Sequence, residues 1–157
     1  MDNLTNSIGK VCLNFSTVEL LLSAFVTRFI SDDPKIGAIL TSEMSYQNNL
    51  KAFASLVKYK ITDGMLQDDF RLIIKKLHEI EQKRNEILHS VYALKDSTSE
   101  QIFRIKITSK QSRGLLATEE LVDPEYFDDT IHEILVLIDL LKKIYNATFN
   151  DTIITYA

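Results

Sequence analysis

Arg84 and His89 are the two residues of this chain whose types and spacing best suit joint chemistry, standing five apart in Arg84-Asn85-Glu86-Ile87-Leu88-His89. On a helix that spacing puts His89 about 140° round from Arg84 and about 7.5 Å along the axis. A guanidinium stays charged at any working pH and stabilises negative charge growing on a phosphate. An imidazole, whose ordinary pKa is about 6.5, takes and returns protons near neutrality. Attack of a ribose 2′-hydroxyl on its own phosphodiester needs both services.

The element that must position them is a helical pattern running from about Leu66 to Tyr92. Leu66, Phe70, Ile73, Ile74, Leu77, Ile80, Ile87, Leu88 and Val91 form one apolar stripe at about 100° per residue. Arg84 falls inside that stripe, so its guanidinium is expected to leave water and to need an acceptor. His89 lies on a polar flank with His78, Gln82 and Asn85, and Glu81 and Tyr92 at its margin. The first helical pattern, about Leu4 to Ile30, carries Ile8, Val11, Cys12, Phe15, Val18, Leu22, Phe25, Val26 and Phe29 on one face. Glu19 sits on that face, four after Phe15, and is the expected partner of Arg84, within one chain or across two; the alternative places it at the stripe's edge in solvent.

Arg84-Asn85-Glu86-Ile87-Leu88-His89, followed by Ser90 and Tyr92, resembles the R-N-x-x-x-H signature of HEPN domains, many of which are metal-independent endoribonucleases. The motif stands near the C-terminal end of a long helix in a mostly helical chain, where HEPN domains carry it. The resemblance extends over the helices at about 3–92 and 124–147. It implies a dimer in which two copies of the motif helix face each other across one cleft, with Arg84 and His89 catalytic, Asn85 supporting, no cofactor, and a toxin or defence role. It also leaves open a non-catalytic HEPN-like module that binds a nucleotide, RNA or a partner protein. One departure concerns a protein antitoxin: toxins of the family carry a modified tyrosine two residues after the histidine, where this chain has Val91, and Tyr92 comes one later.

The chain has 157 residues, enough for one domain with a sizeable core, and 18 basic against 22 acidic side chains give it a formal charge of -4. An acidic chain argues against a general nucleic-acid coat and confines any RNA contact to a local patch. Gln101 to Leu116 is such a patch, with Arg104, Lys106, Lys110 and Arg113 and no acid. These four either follow an RNA backbone, with Tyr92 stacking on a base, or keep a solvated hairpin from pairing edge to edge. A single cysteine, Cys12, excludes an intrachain disulfide, and no Cys and His cluster has metal-ligand spacing. The start of the chain lacks a signal-peptide pattern, and no run of about 18 apolar residues is expected to span a bilayer, so a cytoplasmic protein without membrane contact is expected.

The remaining pattern predicts a mainly α protein, an antiparallel helical bundle with a small β-hairpin inserted at about 92–118. Asp33-Pro34 starts a short helix to about Leu40, and Thr41-Ser42-Glu43 opens the next, with Tyr46, Leu50, Phe53 and Val57 inward. Gln101 to Thr108 alternates as a strand, with Phe103, Ile105 and Ile107 on one face and Arg104, Lys106 and Thr108 on the other. Tyr92 to Lys95 is expected to pair with it, and Leu115-Leu116-Ala117 to add a third strand. Asp123-Pro124-Glu125 starts the last helix, whose stripe of Phe127, Ile131, Ile134, Ile138, Leu141 and Tyr145 is widened by Leu135, Val136, Leu137 and Leu140. Such width predicts several neighbours or a second copy of the chain.

Overall fold

The computed structural model describes residues 2–94, 101–110 and 114–150. Five helices, α1 (Asp2–Ile30), α2 (Pro34–Ser42), α3 (Tyr46–Lys60), α4 (Gly64–Leu88) and α5 (Pro124–Phe149), enclose the core, and strands β1 (Val91–Leu94), β2 (Ile102–Lys110) and β3 (Gly114–Leu121) form one antiparallel sheet in the order β1-β2-β3 between α4 and α5. The protein is therefore mainly α, as the periodicity predicts.

Local chemistry explains most helix starts. Side chains of Asp33, Ser45, Asp63 and Asp123 each accept an amide N–H of the helix they precede, those of Lys35, Asn48, Leu66 and Glu125. Pro34 and Pro124 occupy first-turn positions whose N–H groups would be orphaned anyway. One boundary differs from expectation: α2 continues through Ser42, and α3 begins only after the Ser45 cap, so Thr41-Ser42-Glu43 closes one helix rather than opening the next.

Pairings between helices fix their directions. Phe15 and Phe25 of α1 meet Tyr46 and Phe53 of α3 in the same order, whereas along α4 the order reverses, Phe25 meeting Phe70 and Phe15 meeting Arg84. Phe25 also meets Tyr145 near the end of α5. So α4 runs against α1, α3 and α5. Phe25, Phe29, Phe53, Phe70, Tyr145 and Phe149 pack ring on ring, several pairs with centroids 5.0–5.9 Å apart, at the start of α4, opposite the end that carries the motif.

The short α2 returns the chain along α1 so that α3 can start beside Phe15. Gly37 is buried against Thr27, and a Cβ there would stand 2.7 Å from the Thr27 Cα, a distance that side chains do not adopt. One turn on, the Thr27 and Thr41 hydroxyls are 3.3 Å apart.

Against expectation, α1 over Asn3–Ile30 is long and apolar enough to cross a membrane by length and composition. Its Val11, Phe15, Val18, Leu22, Phe25 and Phe29 are nevertheless buried in the bundle, which is how a central core helix also reads.

Candidate active site

The motif ends a helix that is shorter than its apolar pattern. α4 stops at Leu88, and Val91 leaves the stripe to begin β1, because a three-residue apolar step fits the end of a helix and the start of a strand equally well. His89 is the C-terminal cap: its backbone N–H donates to the Asn85 carbonyl at 3.0 Å, and the residue is exposed. Ser90 Oγ donates to the Glu86 carbonyl at 2.6 Å and Tyr92 Oη to the Ile87 carbonyl at 3.0 Å, so two side chains satisfy last-turn carbonyls around the histidine.

Arg84 is half-buried, as its place in the stripe predicts, but it meets a ring rather than Glu19. Its guanidinium carbon lies 5.1 Å from the centre of the Phe15 ring, within cation–π range. Nη1 donates to Asn85 Oδ1 at 2.9 Å, while the buried Nε has no acceptor among the described residues. The expected ion pair with Glu19 is absent within the chain. Where α1 crosses α4, Phe15 occupies the contact, and Glu19, one turn further on, turns toward α2 and the start of α3.

The carboxylate buried beside Arg84 is instead Glu81, one turn earlier on α4 and 7% exposed. Gln47 Nε2 donates to both of its oxygens, at 2.8 and 2.7 Å. Next to it, Tyr46 stacks at 5.0 Å from Phe15 and donates its hydroxyl to the Leu77 carbonyl at 3.0 Å. Burial first, then the carboxylates of Glu81 and Glu19, holds the Tyr46 hydroxyl far above the ordinary phenol range. The site thus carries an Arg84–Phe15–Tyr46 stack with a buried acid behind it. Glu81 was legible only as a polar residue three before Arg84; Gln47 gave no signal in its own segment.

Of the basic stretch, Arg104 and Lys106 are engaged by acids. The strand alternation holds, but the face bearing Arg104 and Lys106 is the one turned to the helices. Arg104, its side chain 11% exposed, places Nη2 3.2 Å from Glu86 Oε1 of α4 and 2.6 Å from Glu120 Oε2 of β3, with its guanidinium carbon 5.4 Å from the Tyr126 ring centre. Tyr126 Oη adds a hydrogen bond to Glu86 Oε2 at 3.2 Å. Burial opposes the charge of Arg104, but its bonds to Glu120 and Tyr126 and the field of Glu86 prevail and raise its pKa. Lys106 Nζ lies 3.6 Å from Glu86. Arg104, an RNA-backbone candidate by sequence, therefore ties the sheet to the bundle, and Lys106 is partly committed to the same acid. The side chain of Lys110 and all of Arg113 lie outside the described residues.

Besides Glu86 of α4, acids come from the partner strand. In the β2–β3 register Arg104 stands opposite Glu120 and Ile105 opposite Glu119, so the acid-free window 101–116 acquires acids from just beyond it. Tyr92, paired with Arg104 across β1 and β2, packs 6.2 Å from the Phe127 ring and spends its hydroxyl on Ile87. It is a structural ring rather than an open stacking platform. Burial pushes its hydroxyl up to about 12, with Arg104 opposing and Tyr126 and Glu86 reinforcing the rise.

Comparison with family models, characterised proteins and solved structures finds no match. The chain is a mainly helical protein with a half-buried arginine and an exposed histidine at one end of its α4 helix.

Proposed function

We propose that this chain is a HEPN-like, metal-independent endoribonuclease that works as a cytoplasmic homodimer, with Arg84 and His89 of two copies lining one cleft. The observation that carries this reading is Arg84 itself. It is an arginine held half-buried on an aromatic ring, with Nε unmatched among the described residues, five positions before an exposed histidine on the same helix end. A guanidinium so oriented has donor capacity left for a phosphate oxygen, and the ring beneath it limits its freedom. His89 supplies proton transfer to or from the 2′-hydroxyl or the leaving oxygen, and Asn85 fixes one edge of the guanidinium. Exposed Leu72, Leu135 and Val136 on α4 and α5 support burial against a second copy. A toxin or defence role, with a protein antitoxin as partner, follows from the resemblance.

A second reading, a non-catalytic module that binds a nucleotide, RNA or a partner protein, is favoured by one observation. Two cations that reach the motif's Glu86, Arg104 and Lys106, are spent on Glu86 and Glu120. Incubation of purified protein with RNA in EDTA, beside folded Arg84→Lys and His89→Ala variants, separates the two. Cleavage with 2′,3′-cyclic phosphate ends, inert DNA and a loss of about 100-fold to 10,000-fold in His89→Ala supports the nuclease. Cleavage that persists in both variants refutes this site, and RNA binding without cleavage transfers the assignment to the module.

A further inference from the structure

The acid expected to serve Arg84 faces a different space. Glu19, Leu20, Leu22 and Ser23 of α1, Thr41 and Ser42 of α2, and Met44, Tyr46 and Asn49 around the start of α3 line a cleft of about 300 Å³. That is at the lower end of the range for small-ligand clefts, roughly 300–1,000 Å³.

Three hydroxyls in its walls point elsewhere. Tyr46 Oη is given to the Leu77 carbonyl, Ser42 Oγ to the Ile39 carbonyl at 3.1 Å, and Thr41 Oγ1 to the Ala38 carbonyl or the Thr27 hydroxyl. The acceptors are left over. Glu19 makes no ion pair or side-chain hydrogen bond with the described residues, although it lies close enough to raise the Tyr46 hydroxyl. Asn49 is only 7% exposed, and its Oδ1 is buried without a donor among the described residues. Buried amides are normally satisfied, so an unmatched oxygen on a residue that lines a cleft can be met by a group that brings its own donors once the amide turns. Rotation of the amide can offer either of its polar atoms, and the carboxylate of Glu19 sets the sign of the partner.

We propose that this cleft binds an alkylammonium or alkylguanidinium group, with Glu19 as counter-charge, Asn49 as a hydrogen-bonding partner, and the Tyr46 ring and Met44 against its apolar stem. Such a cation brings three to five donors, meets the charge of the Glu19 carboxylate and buries a short stem against the ring. The group comes either from a free amine or from a basic side chain of a second copy. The proposal stands independently of the nuclease reading.

Agmatine and putrescine are the probes, titrated into the full-length protein while the Asn49 side-chain amide and the Met44 methyl are followed by NMR. Saturable shifts at both positions are expected for at least one probe, weakened at least tenfold in Glu19→Gln. Ser23→Leu, which fills the cleft and keeps the carboxylate, is expected to weaken them equally and serves alone should Glu19→Gln fail to fold. Absence of saturable shifts, or equal affinity in the folded variants, overturns the proposal. Sedimentation with and without agmatine identifies the source: dissociation of a dimer by the probe assigns the native occupant to the second copy, and an unchanged species assigns it to a free amine.

Discussion

Arg84 rests on Phe15, with its guanidinium carbon 5.1 Å from the ring centre, and this contact joins the motif helix to the first helix of the bundle. Phe15 is buried, so its replacement by alanine is expected to cost about 3–5 kcal/mol, mostly through lost packing. The arginine's share is isolated by a double-mutant cycle of Phe15→Leu and Arg84→Met in urea, where a coupling of about 0.5–1 kcal/mol is expected. A coupling of zero would show that the stack does not orient Arg84.

Glu81 depends on a single amide from another helix. Gln47→Leu removes the donor that both carboxylate oxygens share, and is expected to destabilise the protein by about 1–3 kcal/mol at neutral pH. The loss should shrink when Glu81→Gln is added, since a neutral amide tolerates burial better than an unmatched carboxylate. Additive losses would mean that Glu81 finds water instead.

Tyr92 gives the fold an alkaline limit. Its hydroxyl is held up to about 12 in the folded chain, against an ordinary value of 10.0, so the folded state keeps a proton that the unfolded state releases between those values. The tyrosine's contribution is thus complete below about pH 10 and is lost as pH rises toward 12. Urea midpoints are expected to fall through that window, and less steeply in Tyr92→Phe, which also loses the bond to Ile87. An identical slope in both proteins would assign the effect to Tyr46 or Tyr126, whose hydroxyls are raised as well.

Arg104→Met should loosen the sheet before the bundle. The substitution keeps most of the stem but leaves Glu86 and Glu120 without their shared cation. Because Glu120 is largely exposed, the expected cost is about 1–3 kcal/mol, below that of breaking a fully buried pair. Hydrogen exchange should accelerate across β1 to β3 with α1 and α3 little changed, whereas Lys106→Met should stay within about 0.5 kcal/mol of wild type.

Features decided within a few residues were legible in the sequence. Helix caps at Asp33 and Asp123, the strand alternation of 102–106 and the half-buried place of Arg84 all follow from local pattern. Features decided by crossing elements were not. Periodicity put Glu19 and Arg84 on inward faces, but only the height at which α1 crosses α4 determines that Phe15 meets the arginine. Alternation separated Phe103 and Ile105 from Arg104 and Lys106, but the side facing the helices depended on Glu86 and Tyr126, which offered Arg104 a charge and a ring. A count of charges over 101–116 missed Glu119 and Glu120, which only strand register brings alongside.

The packing of Gly37 on Thr27 limits how α2 can move. With no side chain at Gly37, and with Thr41 meeting Thr27 one turn later, the two helices touch at main-chain distance over a single turn. Sliding α2 along α1 would drive Pro34 or Leu40, on the same face as Gly37, into the backbone of Thr27, so that path is sterically closed. Separation is the open one: α2 can only lift away as a unit, turning on the short connections at 31–33 and 43–45, and any ligand wedged beside Thr41 and Met44 would act on a flap rather than on a piston.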